Sequence, residues 1–331
     1  MSARFAVIGS NSFSGSHFVD HVLALGHPVL AISRSPELAQ PFLPYRWAGE
    51  PGPKFEFAQL DLNRDLPDMI TRLQRWEPTY VVNFAAQSMV GQSWQYPQHW
   101  YRTNVVALAE LAEGLRRLPS MERYVHFTTP EVYGTTEGWT PENDHFAPST
   151  PYAVSRAAGD MHLLALHHTY GFPVAFTRAA NVYGPGQQIY RIVPRAILSA
   201  RLGRRLPLHG GGQSVRSFIE IGDVSSATYL VCTRGENGRT YHISTDETVS
   251  IRDLVERIAD LTEVRFGDLA DVTEDRLGKD AAYLLDSKRI RTELGWAPDT
   301  DLDTGLRETA EWVDANLGFL KTVPTEYVHK E

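Results

Sequence analysis

Cysteine is nearly absent from the chain, whose 331 residues include only Cys232, so an internal disulfide is excluded. That residue falls in the apolar run 229–232, the setting of a buried thiol, and it fits a reducing compartment. A block rich in lysine and arginine is also missing. With 32 basic against 40 acidic residues and a net charge of -8, the electrostatic footprint of a nucleic-acid binder is not there. No apolar run reaches the length of a membrane span. Met1 leads almost directly into the strand-like Phe5-Ala6-Val7-Ile8, without the basic region, long apolar stretch and cleavage site of a secretory leader, so a cytoplasmic protein is expected. The twelve histidines show no metal-ligand spacing with the cysteine or with one another, and His167-His168 reads as a helix end; no metal is expected. Internal repeats and low-complexity tracts are lacking as well.

What remains is an ordinary globular composition, 42% hydrophobic and 22% charged, sufficient for one or two packed domains. The first half alternates short β-branched apolar runs with amphipathic stretches: strands at 5–9, 29–33 and 80–85, helices at 16–25 and 66–76. Such a βαβ rhythm predicts an α/β fold, a doubly wound parallel sheet with helices on both faces. A helix at 101–118, a strand at 123–128, a helix at 152–168 and a strand at 174–178 continue it, for about seven strands in all. After Asn181 the chain becomes rich in Gly, Pro and Arg, with helices returning at 193–202, 224–232, 251–261 and 304–316. Residues 1–180 are therefore expected to form a Rossmann dinucleotide-binding domain, with 218–245 returning to it. Residues 181–217 and 246–331 are expected to form a smaller α/β substrate-binding lobe.

Gly9-Ser10-Asn11-Ser12-Phe13-Ser14-Gly15 follows the first strand and opens a helix, the context in which a glycine motif binds a pyrophosphate on free N–H groups. Gly9 and Gly15 suit a tight turn and close helix packing, whereas Ser12 stands where glycine would allow the nearest approach. The second strand ends in Ser33-Arg34-Ser35 rather than in an acid; an arginine there suits a 2'-phosphate, so NADP(H) is favoured, with NAD(H) left open. Asp61 and Leu62 follow the third strand, placed toward an adenine. Ala85-Ala86-Gln87 end the fourth strand beside the cofactor, with Ser88 next and Asn104 on the following helix.

Thr128-Thr129-Pro130-Glu131-Val132-Tyr133-Gly134 ends a strand, and Tyr152-Ala153-Val154-Ser155-Arg156 opens a helix. Asn181-Val-Tyr-Gly-Pro, Val215-Arg216-Ser-Phe-Ile-Glu-Ile-Gly-Asp223, Asp275-Arg276-Leu-Gly-Lys-Asp280 and Glu293-Leu-Gly-Trp-Ala-Pro298 follow. Taken with the glycine motif and the Ala-Ala-Gln-Ser segment, the chain resembles, nearly end to end, an extended short-chain dehydrogenase/reductase. Within that group it is similar to the nucleotide-sugar 4,6-dehydratases. The resemblance implies an enzyme that turns an NDP-hexose into its 4-keto-6-deoxy form by transient hydride transfer to a bound dinucleotide.

The residues can be matched to that chemistry. Oxidation at C4 needs a base on the hydroxyl, and a tyrosine serves if a cation one helical turn along depresses its pKa; Tyr152 and Arg156 have this spacing, arginine standing where the family usually has lysine. The resemblance gives Thr129 a hydrogen bond to the 4-hydroxyl and Glu131 the C5 proton. Pro130 stands where some relatives have an aspartate, so delivery of a proton to O6 also falls to Glu131. Arg216 matches a pyrophosphate-binding arginine, with Asn181 and Arg276 as further contacts, Arg191 and Arg195 extending the patch, and Gln87 and Ser88 near the sugar. The nucleobase is left open. A 4-epimerase on the same substrates is disfavoured by Glu131, and a non-catalytic sugar-nucleotide-binding relative is suggested by the departures at Arg156, Pro130 and Ser12. A homodimer is expected through the helices at 101–118 and 152–168, on the apolar faces of Leu108, Leu111, Leu115 and of Met161, Leu164, Leu166.

Overall fold

The computed structural model describes residues 2–274 and 284–330. Seven strands make one parallel sheet: β1 (Phe5–Ile8), β2 (Val29–Ser33), β3 (Phe55–Gln59), β4 (Tyr80–Asn83), β5 (Arg123–Thr128), β6 (Val174–Ala179) and an edge strand, Thr240–Ile243. Their order is β3-β2-β1-β4-β5-β6 with Thr240–Ile243 outside β6, so the chain reverses direction across the sheet between β1 and β4. In an open parallel sheet, ligands bind beyond the carboxyl ends of the strands at such a switch point. Phe5 and Val7 pack into one apolar layer and Ala6 and Ile8 into the other, so the strand is buried on both faces and its sequence is continuously apolar.

Helix ends follow local chemistry. Helix α1 (Phe13–Ala24) is capped by Ser12, whose Oγ accepts from Gly15 N at 3.0 Å. Helix α2 (Leu66–Trp76) and helix α3 (Leu108–Leu115) pack on the far face with Met69, Leu73 and Leu111 buried. Helix α4 (Pro151–Tyr170) begins with Thr150 accepting from Ala153 N at 3.1 Å and proline in its first turn, and ends at Gly171 with φ 68°.

Three features differ from expectation. The helix at 101–118 starts earlier, at Pro97–Tyr101, and passes through a π-helical turn, Arg102–Ala107, before α3. Of the two later segments, Thr240–Ile243 joins the main sheet beside β6, whereas Phe218–Glu220 pairs in parallel with Asn181–Tyr183 as a separate two-stranded ladder. Leu108, Leu111 and Leu115, expected to face a second subunit, are buried within this one against Leu163, Leu166 and Phe172. Met161, expected on that face, is exposed, as are Tyr101, Val106, Val154 and Tyr170 on the same helices. A second apolar core, with Val193, Ile197, Leu254, Ile258, Leu306 and Val313, joins helix α5 (Ile192–Arg201) to Ile251–Leu261 and Leu302–Ala315.

Glu220 caps helix α6 (Ile221–Arg234), its carboxylate accepting from the N–H groups of Gly222 and Asp223. Burial pushes this carboxyl up to about 7 from an ordinary 4.5; the two N–H donors counter this in part, and the charges of Asp223 and Glu308 add to it. Between those values the folded chain keeps a proton that the unfolded chain has released, so its stabilising effect is full at low pH and is lost as pH rises through 7. Glu220→Gln keeps an acceptor for the cap without the charge. Chemical denaturation should show it gaining more at pH 8 than at pH 5, by on the order of 1–3 kcal/mol; an equal effect at the two pH values would contradict the assignment.

Candidate active site

The glycine turn is shaped for close approach. Gly9 has φ +83°, and a Cβ there would lie 2.5 Å from Ala85 N, while one on Gly15 would lie 2.3 Å from Gly9 O. Ser12 has a structural reason to replace glycine, since its Oγ donates to Gly9 O at 2.7 Å while it caps α1. Phe13 and Ser14 form the first turn of α1, where backbone N–H groups have no intrahelical acceptor. Asn11 ties this turn to the loop after β2: its Nδ2 donates to Ser35 O at 3.0 Å, Ser35 Oγ at 3.1 Å and Pro36 O at 2.8 Å. That holds Ser33 and Arg34 beside the turn. Asn11 Oδ1 and Ser10 Oγ are buried and, among the described residues, have no hydrogen-bond partner. A glycine cradle, helix N–H groups and two orphaned polar atoms fit a dinucleotide.

Around it, Asp61 Oδ1 accepts from Asn63 N at 2.8 Å, and Leu62 is packed into the core. Ala85 N donates to Asn83 Oδ1 at 2.9 Å as β4 gives way to Ala86 and Gln87. Asn104, on the π turn, accepts from Gln87 N and donates to Gln87 O and to Ser155 Oγ, each at 2.9 Å. It therefore braces the end of β4 against α4. The widened helical turn that aims it there left no trace in the apolar periodicity.

The carboxyl end of β5 and the start of α4 bring Thr129, Glu131, Tyr152 and Arg156 together. Thr129 caps the 3₁₀ turn Pro130–Tyr133, accepting from Glu131 N at 3.3 Å. Tyr152 is buried, with the Thr129 side chain within hydrogen-bonding reach and Arg156, Glu131 and Arg191 within electrostatic reach. Arg156 is buried, and its Nη2 donates to Phe127 O and lies 3.4 Å from His126 Nε2. The expected depression of the Tyr152 pKa is corrected here. Burial pushes it above the ordinary value; Arg156, Thr129 and Arg191 pull it down, Glu131 pushes it up, and burial is the largest effect.

Beneath Tyr152 lies a cluster that the sequence reading missed. Asp160, two turns after Tyr152, is fully buried, its Oδ2 accepting from Thr128 Oγ1 and from Arg178 Nη2, each at 2.9 Å. Arg178 on β6 also donates to the Tyr133 hydroxyl. His126 is held neutral, its pKa pushed well down by burial and by Arg156 and Arg178. An acid at i+8 from the tyrosine on one helix face was the available signal; what it pairs with, on β6, was not visible along the sequence.

On the other side of the cleft, Arg216 is buried, with Nη1 donating to Val215 O at 2.7 Å, and Asn181 Nδ2 donates to Ser217 O at 3.4 Å. Arg191 precedes α5 and its guanidinium lies 5.6 Å from the Tyr190 ring centroid, while Arg195 pairs with Glu326 at 2.6 Å. Ser88 is exposed. Arg276 and the 275–280 motif lie outside the described residues.

Residues 7–309 match the family model described as GDP-mannose 4,6 dehydratase. The chain is 34% identical over 318 residues to dTDP-glucose 4,6-dehydratase of Streptomyces griseus, covering 94% of each. It superposes with a TM-score of 0.88, at 30% identity, on the dTDP-glucose 4,6-dehydratase DesIV from Streptomyces venezuelae with NAD and TYD bound, covering 96% of this chain and 98% of that one. Against dTDP-glucose 4,6-dehydratase from Bacillus anthracis in complex with NAD the TM-score is 0.86 at 27% identity, over 97% and 99% of the two chains. A match across nearly all of both chains, on a parallel sheet whose switch point holds a glycine cradle and whose fifth strand ends at a Thr-Glu-Tyr-Arg cluster, makes this enzyme a member of the GDP-mannose 4,6 dehydratase family, nucleotide-sugar 4,6-dehydratases of the extended short-chain dehydrogenase/reductase group.

Proposed function

We propose that the chain converts an NDP-hexose to its 4-keto-6-deoxy form, with NAD as the resident dinucleotide. The observation that carries this reading is that the end of β5 and the start of α4 bring Thr129, Glu131 and Arg156 within electrostatic or hydrogen-bonding reach of the buried Tyr152. A dinucleotide bound at the Gly9–Gly15 turn supplies a hydride acceptor that later returns the hydride, so no external oxidant is consumed. Thr129 orients the 4-hydroxyl, and Tyr152 takes its proton as C4 is oxidised. Oxidation acidifies C5–H, and Glu131 takes that proton. Once protonated, Glu131 delivers it to O6 as the C6–O bond breaks and water leaves; Pro130, beside it, has no group to donate. Return of the hydride to C6 and protonation of C5 from solvent complete the product, and Tyr152 releases the proton it took from the 4-hydroxyl, so the protons balance.

The NADP(H) preference drawn from Arg34 is replaced by NAD. Two relatives were solved with NAD. Arg191, Arg195 and Arg216 are the candidate phosphate donors of the substrate side. The self-association reading moves from the buried leucines to Val154 and Met161, seven residues apart on the outer stripe of α4, and to Val106.

A panel of NDP-hexoses given to the purified protein should yield a product lighter by one water, with NAD released on denaturation. In Glu131→Gln, reduction of the bound cofactor should persist while dehydration falls about 10²- to 10⁴-fold, and in Tyr152→Phe neither step should occur. Unchanged mass with inverted C4 would make the chain an epimerase, and binding without turnover would make it a non-catalytic relative. Light scattering at micromolar concentration should give at least twice the chain mass; a monomer would remove the dimer.

A further inference from the structure

Residues 323–330 follow the last helix without forming a helix or strand, bending at 323, 325 and 326, and their burial alternates: Val323, Thr325, Tyr327 and His329 are half-buried and Pro324, Glu326, Val328 and Lys330 exposed. Every second side chain is thus turned toward the protein surface. What this segment touches sets it apart. Glu326 pairs with Arg195 at 2.6 Å, and the Tyr327 ring meets Tyr190 edge-on at 5.3 Å. His329 stacks on Trp100 at 5.0 Å and its Nε2 lies 2.8 Å from His99 Nδ1. Lys330 O accepts from Gln87 Nε2 at 2.7 Å and from Arg34 Nη2 at 3.4 Å. Tyr327 lies within electrostatic reach of both Arg34 and Arg191.

The segment thus crosses from the substrate side of the cleft to the cofactor side, and it brings a carboxylate and a carbonyl to Arg195, Gln87 and Arg34. Phosphate and ribose oxygens are acceptors of the same kind, and these are the donors they would need. We propose that residues 323–330 form a built-in competitor, a strap that satisfies the nucleotide-binding donors with its own acceptors and must lift before dinucleotide and sugar nucleotide are seated. The proposal rests on the reading of Arg34, Gln87 and Arg195 as ligand donors. It adds a regulation: any partner or condition that draws the strap away raises the affinity for nucleotide.

Titration of the full chain and of a chain shortened after Thr322 with NAD, and separately with thymidine diphosphate, tests it. A strap seated in about nine molecules of ten raises the apparent Kd about tenfold, so shortening should tighten both ligands by roughly that factor. Tyr327→Ala with His329→Ala, which leaves the length unchanged, should tighten NAD in the same direction and guards against a folding defect in the shortened form. Equal affinities in all three chains would overturn the strap while leaving the nucleotide site standing. Weaker binding on shortening would overturn it in favour of a clamp over bound ligand, and failure of every form to bind either ligand would overturn the cleft assignment together with the strap.

Discussion

The ion pair between Asp160 and Arg178, Oδ2 to Nη2 at 2.9 Å with both side chains out of contact with solvent, fixes the geometry on which the site depends. Asp160 belongs to α4 and Arg178 to β6, and the same carboxylate oxygen accepts from Thr128 at the end of β5. With that face of α4 pinned, Arg156 and Tyr152, one and two turns earlier, are rotated toward Thr129. Arg178 also donates to the Tyr133 hydroxyl, at the end of the 3₁₀ turn that carries Glu131. One buried pair therefore positions both halves of the proposed chemistry, Tyr152 on the helix and Glu131 on the turn. Removing one partner would strand a buried charge, a loss of about 3–5 kcal/mol.

The same cluster bears on arginine replacing lysine after Tyr152. A guanidinium is longer and planar, and Arg156 uses it to reach Phe127 O and His126 rather than ending beneath the tyrosine. A protonated His126 would repel it, but burial keeps that ring neutral. The Arg156 guanidinium lies near a phenol whose burial works against ionisation, and its attraction is the largest effect lowering the Tyr152 pKa. Tyr152 is not an activated base by burial; it is a base only to the extent that cations beside it offset the burial.

How far this was legible in the sequence differs from one element to the next. The strands were readable because a parallel sheet is covered on both faces, so Phe5-Ala6-Val7-Ile8 is apolar without interruption. The helix expected at 152–168 is α4, Pro151–Tyr170, and its ends are set by local capping at Thr150 and Gly171. Thr129, Glu131, Tyr152 and Arg156 were singled out from spacing and resemblance, and the end of β5 and the start of α4 lie together in the fold. The π turn that aims Asn104, the partner of Asp160 and the placement of residues 323–330 were hidden, since each depends on contacts between segments far apart in the chain. Leu108, Leu111 and Leu115 misled for the converse reason: an apolar helix face looks the same whether it meets its own core or a second subunit.

In the proposed reaction the charge of Arg156, held by this cluster, is what lets the buried Tyr152 lose its proton and so take one from the 4-hydroxyl. The most direct measurement is the pH dependence of cofactor reduction in a single turnover, followed by absorbance, in the parent enzyme and in Arg156→Met. The profile should be displaced to higher pH with a lower maximum in the variant, and should return toward that of the parent in Arg156→Lys. An active Arg156→Met enzyme with an undisplaced profile would contradict it and reduce Arg156 to a packing element.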